Sequence, residues 1–164
     1  MLKRYQPLWM SIHVNHPKEL TPEMTEACAA LVDNGIPLGC QTVLLKGIND
    51  DTQVMKQLMQ ALLRLRIHPY YLYQCDPVVG TSHFRTPVQT GIRIIEALRG
   101  HTTGYAVPTF VIDAPGGGGK IPLGPHYGLA QHNGRIILRN FRGDIYEYDE
   151  LKAEAISGHT SRDC

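Results

Sequence analysis

Short apolar runs alternate with segments of helical periodicity along this chain, and that pattern predicts strands separated by helices. Leu8-Trp9-Met10-Ser11-Ile12 reads as a buried strand ended by Asn15-His16-Pro17. Thr21 is a good N-cap, Pro22 suits the first helical position, and Glu23 and Glu26 complement the positive end of a helix. That helix is predicted to about Asn34, with Met24, Ala27, Cys28 and Leu31 on one face and Gly35 stopping it. A second strand is expected over Pro37 to Leu45. Gly47-Ile48-Asn49-Asp50-Asp51 then caps a helix to about Arg66, with Val54, Leu58, Leu62 and Leu65 as its apolar stripe. Pro69 to Gln74 predicts a third strand, Pro87 to Arg99 a helix packing through Ile92, Ile95 and Leu98, and Tyr105 to Ile112 a fourth strand. Ile136–Arg139 and Ile145–Tyr148 predict a hairpin around Phe141-Arg142-Gly143-Asp144, and the tail from Lys152 is polar and expected to be loose. Trp9 is expected in the core. Strict alternation would point Tyr70 away from Tyr71 and Tyr73.

The order β-α-β-α-β-α-β followed by a small β appendage predicts an α/β fold with about four parallel strands joined by crossover helices. In parallel barrels, chemistry gathers at the carboxyl ends of the strands. Polar residues lie there on four successive strands: His13, Asn15 and His16; Gln41; Gln74 and Asp76; and Asp113. Four parallel strands leave two sheet edges, and a parallel sheet needs both faces covered. The chain starts almost directly at a strand, so it reads as the second half of something larger.

Composition narrows the function classes. A length of 164 residues suits one domain, and a net charge of +1 gives no general attraction to nucleic acid or an anionic membrane. No apolar run approaches a bilayer-spanning length, and Met1-Leu2-Lys3-Arg4-Tyr5 has no signal-peptide core, so a cytoplasmic protein is expected. Cys28, Cys40, Cys75 and Cys164 form no closely spaced set. They give no zinc or iron–sulfur motif, and the first three are expected to pack as small apolar residues.

The segment richest in chemistry is Val111-Ile112-Asp113-Ala114-Pro115-Gly116-Gly117-Gly118-Gly119-Lys120. An apolar run ends in an acid, Pro115 breaks it, and four glycines lead to a lysine. Glycines let the backbone adopt positive φ and approach a ligand closely. A lysine held there can offer its amine to a carbonyl cofactor such as pyridoxal phosphate. A flexible linker is the plain alternative on composition. A phosphate-binding Walker loop is excluded, since no Ser or Thr follows the lysine and the glycine spacing is wrong.

Five motifs in order resemble the lysine 2,3-aminomutase family. They are Ser11-Ile12-His13-Val14-Asn15-His16-Pro17, Gln41-Thr42-Val43-Leu44-Leu45-Lys46-Gly47-Ile48-Asn49-Asp50, Pro69-Tyr70-Tyr71-Leu72-Tyr73-Gln74-Cys75-Asp76, His83-Phe84-Arg85-Thr86-Pro87 and Asp113 to Lys120. The resemblance runs from about Tyr5 to Glu150. It implies the C-terminal part of a partial (β/α)6 radical S-adenosylmethionine barrel over residues 5–115, and a cofactor loop with a β appendage over 116–150. It also implies pyridoxal phosphate, S-adenosylmethionine and a [4Fe-4S] cluster as cofactors. The reaction implied is the conversion of L-lysine to β-lysine by radical migration of the amino group. Lys120 resembles the lysine that carries pyridoxal phosphate. Asp76 and Asp113 resemble the carboxylates that hold the substrate's ε-ammonium, while His13 and Gln41 resemble residues lining the S-adenosylmethionine site with Tyr73 nearby.

Two departures qualify what the resemblance implies. The cluster motif CxxxCxxC is absent, so the chain is expected to be inactive alone and to need a missing N-terminal half or a partner subunit. Asp51 stands where family members carry a zinc-binding cysteine, so zinc is not expected, although a homo-oligomer remains open. A non-catalytic module that binds pyridoxal phosphate or a basic amino acid is the alternative reading. Arginine is the alternative substrate, since a guanidinium also suits paired carboxylates; a glutamate side chain would be repelled by them.

Overall fold

The computed structural model describes residues 2–150. The chain divides into two compact units, Met1–Pro125 and His126–Cys164. The expected loose tail lies outside the described residues.

The first unit is a five-stranded sheet in the order β1-β2-β3-β4-β5 with three helices. The strands are β1 (Met10–His13), β2 (Leu38–Leu44), β3 (Ile67–Gln74), β4 (Thr109–Ala114) and β5 (Gly119–Leu123), and the helices are α1 (Pro22–Asp33), α2 (Thr52–Arg64) and α3 (Val88–Leu98). β1 to β4 pair in parallel, as the alternation of strands and helices predicts. Strand order follows chain order without reversal, unlike a doubly wound sheet, which reverses at a switch point.

The helix boundaries were legible because capping chemistry is local. The Thr21 side chain accepts from the Met24 N–H to start α1, and Asp51 accepts from the Gln53 and Val54 N–H groups to start α2. Gly35, with φ of 74°, lies just past the α1 cap. The buried stripe of α2 is Met55, Leu58, Met59 and Leu62, all fully buried, so the stripe is rotated slightly from the predicted one.

One sheet face is buried under the helices. Along β2, Leu38, Cys40, Thr42 and Leu44 are buried while Gly39, Gln41 and Val43 are only partly covered. The core on the covered side joins these residues to Ile67 and Leu72 of β3, Phe110 of β4 and the inner faces of α2 and α3. Cys28, Cys40 and Cys75 are buried, as expected for small apolar side chains.

Four expectations fail. Trp9 is 77% exposed rather than in the core. It lines a shallow cavity of about 450 Å³ with Ser11, Gly39, Gln41, His68 and Tyr70 on the face the helices leave open. Tyr70 does not oppose Tyr71, because the register skips a residue between Cys40 and Gln41. This bulge brings the two rings side by side, with centroids 3.9 Å apart. The fourth strand starts at Thr109, because Gly104–Ala106 forms a 3-10 turn first. Finally, the segment after the glycines is a strand: β5 returns antiparallel to β4 and stays in the first unit.

The second unit is an antiparallel sheet of β6 (Gly128–His132), β7 (Arg135–Arg139) and β8 (Ile145–Asp149). The β7–β8 hairpin is the predicted one. The glycine-started β6, with only Leu129 and Ala130 as apolar side chains, carries too weak a pattern to predict a strand. Its turn uses Asn133 and Gly134 at φ of 48° and 76°, the left-handed pair of a tight hairpin.

Packing between α3 and β4 leaves no room at Gly91, where a Cβ would overlap the buried Phe110 ring. Overpacking of about 1–3 kcal/mol outweighs a helix-propensity gain of about 1 kcal/mol. Gly91→Ala should therefore lower the urea midpoint of unfolding, and an unchanged or higher midpoint would contradict this packing.

Candidate functional site

The open face of the sheet collects the sequence-predicted residues. Parallel partners point to the same side, so register alone assigns faces. His13 pairs with Gln41, and Gln41 with Tyr71. Tyr73 pairs with Val111, two residues before Asp113, and Asp113 pairs with Lys120. His13, Gln41, Tyr73, Asp113 and Lys120 thus lie on one face of β1 to β5, opposite the helices. Asp76 follows the last residue of β3 by two positions, at the same end of the sheet as Asp113, and is exposed.

Asp113 and Lys120 are brought together by the glycine turn. The chain reverses over Pro115–Gly118 so that Ala114 pairs with Gly119 and Asp113 with Lys120. Gly116, Gly117 and Gly119 have φ of 73°, 82° and 82°, values that L side chains rarely adopt. Gly118 has ordinary φ, but a Cβ there would come within 2.8 Å of the Ala114 Cβ. Each glycine therefore has a steric reason, which a flexible linker would not require.

Lys120 Nζ lies 3.1 Å from Asp113 Oδ1, with the side chains 43% and 38% exposed. It also sits 5.4 Å from the centroid of the Tyr73 ring. The hydrogen bond to Asp113 raises the Lys120 pKa above the usual lysine value, and the negative charge of Asp113 adds to this. Partial burial pushes the Tyr73 hydroxyl up, opposed by the lysine charge. The three groups form a protonated amine clasped between an acid and an aromatic ring, half open to solvent.

The other polar residues at the strand ends do structural work that sequence reading missed. His16 and Glu19 form a capping box on the turn Pro17–Glu19, with Glu19 Oε1 accepting from the Asn15 and His16 N–H groups at 2.8 and 2.7 Å. Asn15 Oδ1 accepts from the Val43 N–H at 2.8 Å. Gln74 donates to the Thr86 carbonyl at 2.7 Å and so ties the loop after β3. Asn49 is fully buried; its Oδ1 accepts from the Leu45 N–H at 2.7 Å, and its Nδ2 donates to the Asn15 and Val43 carbonyls at 2.8 Å each. Beyond the last ladder pair, His13 with Gln41, these side chains hold β1 and β2 together. The only sequence signal for Asn49 was its place in the turn before α2.

Among the described residues no group of three His, Cys, Asp or Glu side chains is placed to hold a metal ion, and no helix is long and apolar enough to cross a membrane.

The family described as lysine-2,3-aminomutase matches residues 95–163, a range that continues past the expected end of the resemblance at Glu150. The chain is 60% identical over 150 residues to the L-lysine 2,3-aminomutase of Fusobacterium nucleatum, covering 92% of this chain and 35% of that protein. The chain belongs to the lysine 2,3-aminomutase family. The L-lysine 2,3-aminomutase of Acetoanaerobium sticklandii is 59% identical over 150 residues, covering 92% of this chain and 36% of its own. A glutamate 2,3-aminomutase of Clostridioides difficile is 47% identical over 153 residues, covering 93% of this chain and 36% of its own. The chain thus spans about a third of the length of the curated relatives it matches, and corresponds to their C-terminal part.

Asn49→Ala would leave one N–H and two carbonyls without their partner. A loss of about 2–4 kcal/mol is expected on denaturant unfolding, together with faster amide exchange at Leu45. Unchanged exchange there would show that the Asn49 hydrogen bonds do not hold the strand ends.

Proposed function

We propose that this chain is the substrate- and pyridoxal-phosphate-binding part of an L-lysine 2,3-aminomutase. The observation that carries the reading is the pairing of Asp113 with Lys120 across a glycine turn on the open sheet face. It is supported by 59–60% identity to L-lysine 2,3-aminomutases over 92% of the chain.

Lys120 fits the cofactor: it offers a primary amine, half exposed, beside an acid and an aromatic face. Pyridoxal phosphate, when attached, supplies an electron-accepting ring conjugated to the substrate's amino nitrogen. Tyr73 would flank that ring. Asp76 and Asp113 would bind the side-chain ammonium of lysine through charge-assisted hydrogen bonds, which repel a glutamate carboxylate. His13 and Gln41, level with each other on adjacent strands, would line the S-adenosylmethionine site.

The described residues do not fit an iron–sulfur cluster. Cys28 is buried on α1, Cys40 faces the helices from β2 with its thiol raised in pKa by burial, and Cys75 is buried beyond β3. In this reading a cluster would be held by polypeptide other than the described residues. The uncovered sheet face suits this, since a parallel sheet is stable with both faces covered. In this reading further strands and helices of the enzyme close a β/α barrel over that face, in the cytoplasm.

The test is borohydride reduction of the protein incubated with pyridoxal phosphate, followed by peptide mass mapping. The cofactor mass should appear on the peptide containing Lys120 and vanish in Lys120→Ala; an adduct that persists in the variant would remove Lys120 from this role. In the complete enzyme, Asp76→Asn and Asp113→Asn should each weaken L-lysine binding by about 10- to 100-fold. Undiminished affinity would refute the ammonium clamp.

A further inference from the structure

Asp113 has more than one ammonium to serve. Its Oδ1 holds an alkylammonium, that of Lys120, at 3.1 Å. The proposed substrate brings a second alkylammonium of the same chemistry to the same carboxylate. We propose that Asp113 serves the two in turn, holding Lys120 Nζ until pyridoxal phosphate is attached and the substrate's side-chain ammonium afterwards. This rests on the reading of Lys120 as the cofactor lysine.

The geometry brings the two uses to one carboxylate. Asp113 and Lys120 are register partners on adjacent antiparallel strands, so the ion pair is set by the backbone and not by a chance rotamer. Tyr73 backs the amine. Tyr71 and Tyr70, both from β3, also act on the amine. Asp113 is the carboxylate within hydrogen-bond distance of Nζ.

Attachment of the cofactor condenses an amine with an aldehyde. The Lys120 ammonium first gives one proton to solvent, and the nitrogen lone pair then forms the bond to the aldehyde carbon. The two remaining nitrogen hydrogens leave with the aldehyde oxygen as water, and a carbon–nitrogen double bond results. While Asp113 favours the ammonium, the first of these events is disfavoured, which is the expected direction for an opposite charge within hydrogen-bond distance. A cation that occupies Asp113 removes that bias. Binding of the substrate side chain and release of the lysine amine are then linked, and by thermodynamic reciprocity each promotes the other.

The experiment is competitive labelling of the cofactor-free protein with acetic anhydride, an uncharged reagent, at neutral pH. Peptide masses report Lys120 against the exposed Lys18 and Lys46. Lys120 should label more slowly than either in the wild type. In Asp113→Asn its labelling should rise about fivefold, and in Asp113→Glu it should stay low. Methylguanidinium chloride, compared with equal sodium chloride, should accelerate Lys120 labelling in the wild type, a result that does not depend on any variant folding. Labelling of Lys120 that is indifferent to both Asp113→Asn and methylguanidinium overturns the proposal. If borohydride traps the cofactor on wild-type Lys120 while labelling is indifferent, the shared use of Asp113 fails and the cofactor reading stands. If no adduct forms on wild-type Lys120, the cofactor reading fails and takes this proposal with it.

Discussion

The helices of the first unit cover one face of its sheet and leave the other without a helix, and the candidate site follows from that asymmetry. Four parallel strands in chain order send each crossover back on the same side, so the apolar halves of the strands are drawn to one face. The alternate residues have no helix to meet. They are free to be histidine, glutamine, tyrosine, aspartate and lysine, and these are the residues found there. Trp9 and Tyr70 belong to the same face, which is why large aromatic side chains sit exposed in a unit with a well-filled core.

Within that face two devices hold side chains in place. At one edge the glycine turn folds β5 back on β4 and sets an acid against a lysine without help from packing. Three of its glycines are required by backbone conformation and one by close contact with Ala114. At the other edge the β1–β2 ladder ends at His13 and Gln41. There Asn49 and Asn15 replace backbone pairing with side-chain hydrogen bonds. A buried amide with its bonds satisfied is rigid, because losing any one of them leaves a polar group dry and unpaired. The two devices bracket Tyr73, whose ring lies against the lysine.

The β3 bulge adds a third constraint. One extra residue in β3 relative to β2 places Tyr70 and Tyr71 side by side, and keeps Tyr71 and Tyr73 in phase with Gln41 and Val43. Without it Tyr71 and Tyr73 would point into the helices. The aromatic wall on the open face therefore depends on a local irregularity in pairing.

The sequence alone determined what local chemistry controls. Thr21 as a cap, the turn before α2, Gly35 as a helix stop and the succession of strands and helices were all readable, because capping and period depend on neighbours a few residues away. The glycine run with its lysine was also visible as a candidate site. Tertiary structure decided what pairing controls. That Lys120 lies on a strand opposite Asp113, that a bulge puts Tyr71 on the face of Tyr70, that Trp9 is exposed, and that Asn49 locks two strand ends all depend on partners distant in the chain. So does the start of β4 at Thr109, where the strand must meet Tyr71 before it can pair. Periodicity records which side of an element is apolar; only the assembled sheet shows which side the helices cover.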